Sequence, residues 1–358
     1  MAEFMAKGLR IEAWDYRYYA EKVRKQKYAF DENSLKPYLE LTQMRRAMFW
    51  AAGQLFGLSF KPIGGVAVYH PDVTVYSVHR ASTPVGLWYF DPYARAGKDS
   101  GAWMNEYRTQ QRLHKALPIV SNNANFIKGA PGEPVLISWD DAITLFHEFG
   151  HALHGLSSQV SYPTLAGTSV KGDFVEFPSQ LNERWLSTPE VLSRFARHYQ
   201  TGQPIPPELL AALHKARYFN QGFATVEYLA AAIYDMKIHL ADAQSPIAPD
   251  SFERGTLAEI GCPNEIVMRH RPTQFAHVFS GEGYAAGYYN YLWADVLTAD
   301  AAEAFTQAGG YYDKAVARRL HDEILRVGNT VPPDEAYRRF RGREADPDAL
   351  MRARGFAA

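Results

Sequence analysis

Residues 138–156 carry the pattern that most limits what this chain can fold into. Leu145, Phe149, Ala152 and Leu156 recur at helical spacing, so at about 100° per residue they line one apolar stripe facing a core. His147 and His151 fall roughly opposite, one turn apart and within about 40° of each other. Ser138 stands where a helix N-cap is expected, and Asp141 three residues later can bond back to it. Two imidazoles at this spacing can chelate one ion, and Glu148 beside them can take a proton from metal-bound water. Five-residue matches of this kind also arise by chance among surface residues. Here the match lies within an apolar helix, where unpaired polar groups are costly to bury, and zinc is the better reading. His154 lies on nearly the same face and reads as a packing or supporting residue, not a ligand.

A third ligand separates the classes of zinc site. The pattern that places a third His six residues beyond the second is excluded, because positions 154 and 157 hold His154 and Ser157. A carboxylate from a later helix is the alternative, and Asp173, Glu176 and Glu183 offer three. Glu176 and Glu183 would share a face of an unbroken helix, but Pro178 between them would kink that helix or mark its first turn. Spacing alone does not choose among them. Three protein ligands and a water suit a catalytic zinc, one Zn2+ per chain, and the lack of a cysteine cluster agrees with that. Far downstream, His277 precedes Tyr284, Tyr288 and Tyr291, which at i, i+4 and i+7 predict one face of a helix. Phenols and an imidazole can donate to a developing oxyanion. A tyrosine stripe packed in a core explains the same spacing.

The remaining composition narrows the partners. Of 358 residues, 47% are hydrophobic and 22% charged, with Lys+Arg 38 against Asp+Glu 39, so no nucleic acid or acidic membrane surface is indicated as a partner. The single Cys262 cannot form an intrachain disulfide and reads as a small buried hydrophobe. No apolar run is long enough to span a membrane, and Met1–Met5 lacks the features of a signal peptide, so a cytoplasmic protein is expected. The two closely spaced methionines suggest that residues 1–8 are a cloning remnant.

Residues 14–56 read as helical with a break near Pro37. Residues 66–93 read as a small β element in which Val73–His79 and Val85–Asp91 are strands of an antiparallel sheet. Residues 118–134, with Asn122, Asn123, Asn125, Gly129 and Gly132, read as loop. Residues 138–358 form a helical portion that holds the zinc motif, and the clearest connector is Pro204 to Pro207. The expected class is mostly α with a small antiparallel β-sheet beside the zinc helix, in a single catalytic region over 1–358.

Three segments in the same order, Phe146 to Gly155, Asp173 to Gln180 and Gly283 to Trp293, resemble the thimet oligopeptidase family, and within it the bacterial peptidyl-dipeptidases (dipeptidyl carboxypeptidases). The likeness runs from about Trp14–Tyr19 through Gly101–Met104 to near the C-terminus. It implies that Glu176 is the third zinc ligand, that His277, Tyr284 and Tyr291 assist the transition state, and that Tyr288 contacts substrate. It also implies a helical, zincin-type bundle cleft by a deep channel, where a substrate adds to the sheet's edge as an extended strand. Members of that family are considerably longer, and this chain begins where their catalytic half would. An absent covering half would expose apolar surface, which a homo-oligomer or another partner would then bury. The stretch from His277 to Tyr284 is also longer than the family's.

The expected activity is zinc-dependent hydrolysis of short peptides, releasing C-terminal dipeptides through water activated by Glu148. Arg269 and Arg271 are candidates to grip the substrate's free carboxylate, on chemical grounds alone. Two alternatives remain open: an oligopeptidase cutting internally, and an inactive or peptide-binding remnant.

Overall fold

The structure, a computed structural model, describes residues 8, 12–242, 244–263 and 265–357. The cloning-remnant reading of 1–8 therefore lies outside the described residues, Gly8 excepted. The chain separates into two compact units.

One unit comprises Glu32–Pro206 and Ala294–Ala353. Its first long helix, α2 (Leu41–Phe56), is started by Glu40, whose carboxylate accepts the Thr42 and Gln43 amides at 3.0 and 2.9 Å. Gly57 ends it in a left-handed conformation, φ 67°. A five-stranded sheet follows: β1 (Leu58–Pro62), β2 (Thr74–Arg80), β3 (Thr83–Tyr93), β4 (Trp103–Arg108) and β5 (Ile119–Phe126), in the order β1-β2-β3-β5-β4. The two strands expected between 66 and 93 are β2 and β3. The sheet is larger than that element, and it is mixed where antiparallel pairing was expected throughout, because β5 returns beside β3 in parallel. The reading of 118–134 as loop is corrected as well. Asn122 and Asn123 sit in β5 because their amides are used inside the protein. Trp88 Nε1 donates to Asn122 Oδ1 at 2.7 Å, and Asn123 Nδ2 donates to Ser121 Oγ at 3.1 Å.

On this sheet lie α3 (Trp139–Ser157) and, against α3, α4 (Gly172–Glu183). Ser138 and Asp141 form the expected capping box, at 3.0 Å in both directions. Leu145, Phe149, Ala152 and Leu156 are all buried, as the stripe required. Phe149 packs its ring among Trp88, Phe60 and Phe49, which fixes how α3 is rotated on the sheet. Gly86 on β3 leaves room for the helix end, since a Cβ there would stand 2.9 Å from Leu156 Cδ2.

The other unit takes the described residues up to Asp31, Pro207–Trp293 and the chain end from Arg354. The division at Pro206/Pro207 falls at the connector marked by its prolines. It contains α1 (Tyr16–Tyr28) and α5 (Gln221–Leu240), and α5 contributes Ala230, Ala231 and Tyr234 to a core cluster with Leu257, Met268, Phe275 and Val278. Cys262 packs against that cluster, as a small hydrophobe does. The tyrosine segment departs from expectation: 284–289 are turns, and α6 (Asn290–Gln307) starts only after them. Ala286 adopts φ 54°, which breaks a right-handed helix. The molecule is mostly α with one small mixed sheet, and no described helix is long and apolar enough to cross a membrane.

Candidate active site

Helices α3 and α4 meet at Gly150, between the two histidines. A Cβ on Gly150 would stand 2.6 Å from Ser179 Cα and 2.9 Å from Asn182 Cβ, so the α4 main chain rides directly on α3. Pro178 lies inside α4 without ending it, which answers the question its position raised. Asn182 Nδ2 donates to the Phe146 carbonyl at 2.6 Å, and Asn122 Nδ2 to the Glu148 carbonyl at 2.6 Å. These two amides pin the turn that carries the motif from opposite elements, and reading the sequence missed both. Gly150→Ala is expected to cost about 1–3 kcal/mol by overpacking, seen as a lower melting temperature together with weaker zinc binding.

The crossing brings His147, His151 and Glu176 together, with one ligand atom from each lying within 4.8 Å of the others. Glu176 Oε2 is 3.2 Å from His147 Nε2 and 3.1 Å from His151 Nε2. A tetrahedral zinc with ligand bonds of about 2.0–2.1 Å sets its ligand atoms about 3.3–3.4 Å apart. The donor set therefore fits zinc in both atom type and spacing. Glu183 completes the arrangement from the same face of α4, its Oε1 standing 2.7 Å from His147 Nδ1. The two carboxylates that spacing could not rank thus address opposite nitrogens of one ring, which leaves Nε2 for the metal. Asp173 is not part of the group. Glu183→Gln is expected to weaken zinc binding by about 10–100-fold, measured by competition with a chelator.

Electrostatics fit a cation at this point. Burial by itself raises the pKa of Glu176, but the two imidazoles outweigh it and hold the carboxyl well below its ordinary value. His147 is opposed by burial as well, yet its bonds to Glu176 and Glu183 carry it up to about 10. Glu148 behaves differently: burial dominates and pushes its pKa up, against the pull of His151 and His147. Its Oε2 is buried with no hydrogen-bond partner among the described residues, a costly state that a reactive carboxyl facing a site explains. His154 is fully buried, and burial lowers its pKa to about 3, so it is a neutral packing residue.

His277, Tyr284, Tyr288 and Tyr291 also gather, in the other unit. The Tyr284 and Tyr291 rings stack at 5.7 Å with planes 6° apart. The Tyr291 hydroxyl is 2.9 Å from His277 Nε2, and the His277 ring lies 4.4 Å from that of Tyr284. Tyr288 is half-buried, packing on Phe275 at 4.9 Å and Tyr228 at 5.3 Å. Of the two arginines singled out, Arg271 is committed to Glu253 at 2.8 Å and Asp250 at 3.0 Å. Arg269 has no ion-pair partner among the described residues and lines a cavity of about 370 Å³ with Tyr16, Arg17, Glu227 and His270.

A helix bearing His-Glu-x-x-His, completed by a carboxylate from the next helix, defines a site of the metallopeptidase type. The chain belongs to peptidase family M3, whose pattern matches residues 1–356. It is 42% identical over 355 residues to the dipeptidyl carboxypeptidase of Salmonella typhimurium, covering 97% of this chain and 52% of that protein. To oligopeptidase A of Escherichia coli it is 35% identical over 354 residues, 95% of this chain and 51% of the relative. The chain thus spans about half the length of the curated relatives it matches. Among solved structures, one described as BsuCP shares the fold at 10% identity and a TM-score of 0.51, over 95% of this chain and 65% of that one.

Proposed function

We propose that this chain hydrolyses short peptides with one bound zinc, releasing dipeptides from a free C-terminus, in the cytoplasm, with 1–358 acting as one catalytic region. The observation that carries the reading is the convergence of His147, His151 and Glu176 beside buried Glu148, whose Oε2 has no hydrogen-bond partner among the described residues. Zinc held by those three residues would polarise the scissile carbonyl and bring the pKa of water down to about 7. Glu148 takes the proton from the attacking water and passes it to the leaving amine. A carboxyl whose pKa is raised by burial retains a proton longer than a solvated one, which suits a relay. Tyr284 and Tyr291 donate to the oxyanion, each such donor worth about 3 kcal/mol. His277 orients the Tyr291 hydroxyl, and Tyr288 contacts substrate. Arg269, uncommitted and beside a cavity, suits the substrate carboxylate better than Arg271.

Similarity to a dipeptidyl carboxypeptidase favours the exopeptidase form, and similarity to oligopeptidase A supports internal cleavage as the second reading. The test is mass spectrometry of a decapeptide incubated with zinc-loaded protein, with and without chelator. Stepwise, chelator-sensitive loss of dipeptides supports the proposal. Equal cleavage of the C-terminally amidated peptide transfers support to the internal cutter, and bound zinc without any cleavage leaves a peptide-binding remnant.

A further inference from the structure

The turn that carries Tyr284 and Tyr288 is held by a side chain that belongs to none of the three motifs. Asp235, on α5, is fully buried. Its Oδ1 accepts the Ala286 amide and its Oδ2 the Tyr288 amide, both at 2.9 Å. His239 Nδ1 stands 2.9 Å from the same Oδ1. Between the two captured amides the chain passes through the left-handed conformation of Ala286, which a residue with a Cβ keeps only when its surroundings hold it there.

The rest of the same helix face continues the grip. Tyr228, Asp235 and His239 are spaced i, i+7 and i+11, so they point the same way from α5. The Tyr228 hydroxyl donates to the Tyr288 carbonyl and accepts the Leu292 amide at 3.3 Å, at the start of α6. The His239 ring stacks on Phe279 at 5.8 Å and 15°, two residues beyond His277. One helix face thereby holds the three pieces of chain that supply His277, Tyr284 and Tyr291. A turn that only had to close would do so through its own backbone bonds. Sinking a carboxylate into the core to hold two amides is a costlier solution, and the two bonds at 2.9 Å tie the turn to one place on α5.

We propose that Asp235 is a positioning residue for the oxyanion-binding tyrosines: by capturing the Ala286 and Tyr288 amides it fixes Tyr284 in its stack with Tyr291, with His239 extending the hold to the His277 segment. The proposal rests on the reading that Tyr284 and Tyr291 serve the transition state. It is tested by amide hydrogen exchange and by steady-state kinetics on a quenched fluorescent peptide. The proteins compared are zinc-loaded wild type, Asp235→Asn, Tyr284→Phe and the double variant.

Asp235→Asn is expected to speed exchange across 284–289 at least tenfold while 221–234 stay protected. Its kcat should fall by tenfold or more with KM within twofold. Because Asp235 acts through Tyr284, the double variant should be no slower than the worse single one. Unchanged exchange in 284–289, or losses that multiply in the double variant, overturns the proposal. Wild-type kcat in Tyr284→Phe sinks the oxyanion role instead, and the exchange data still decide whether Asp235 holds the turn. Should Asp235→Asn melt below the assay temperature, the solvent-facing His239→Gln replaces it. There a threefold or greater rise in exchange supports the proposal, and no change overturns it.

Discussion

Glu148→Gln is expected to lower kcat on a cleaved peptide by about 10²–10⁴-fold, with zinc still binding one to one. The amide keeps the volume of the carboxyl and removes its ability to accept and return a proton. Glu148 makes no contribution to the ligand trio, so metal content is the control that separates lost chemistry from a lost site. The same substitution carries an opposite expectation for stability. The folded protein raises the pKa of Glu148 through burial, so the native state binds its proton more tightly than the unfolded chain does. Stability tied to this group is therefore complete below the ordinary carboxylate pKa and declines as pH rises through the raised value. At neutral pH the metal-free Glu148→Gln protein should melt no lower than the metal-free wild type, by differential scanning fluorimetry. Retention of wild-type kcat would remove Glu148 from the mechanism.

Glu176→Gln is expected to weaken zinc binding by at least about 100-fold, more than loss of an outer partner such as Glu183. The reasoning is electrostatic. Glu176 is almost fully buried between two imidazoles, and it supplies the negative charge that faces the cation. Gln retains an oxygen donor without that charge. Isothermal titration at fixed pH reads the difference, and an affinity within a few-fold of wild type would show that another carboxylate completes the site.

Much of this centre is legible in the sequence because it is local. The apolar stripe of α3, its capping box and the i,i+4 histidines all lie within one stretch of 19 residues and obey one period. What depends on contacts between distant segments is less legible. Glu176 and Glu183 could not be ranked because the effect of Pro178 on α4 is settled by packing against α3 at Gly150. Asn122 was assigned to a loop by its turn preference, yet Trp88 and the Glu148 carbonyl satisfy its amide within a strand. The mixed sheet follows from the return of β5 beside β3, a pairing no local pattern encodes. Tyr284, Tyr288 and Tyr291 have helical spacing but begin in a turn, because Asp235 captures amides that a helix would have bonded internally.

The contact at Gly150 bears on which ion the site prefers. Ligand sets built from long side chains adapt to cations of different radius by shifting rotamers. Here the gap between the ligand-bearing helices is set where the α4 main chain meets Gly150, so side-chain changes that spare Gly150 and Asn182 should alter it little. Libraries that vary those side chains should therefore alter how tightly every ion binds while leaving the order of zinc, manganese and cadmium nearly fixed. Position 150 is where the spacing itself can be reset, and there a single methyl group would push the two helices apart toward a larger cation.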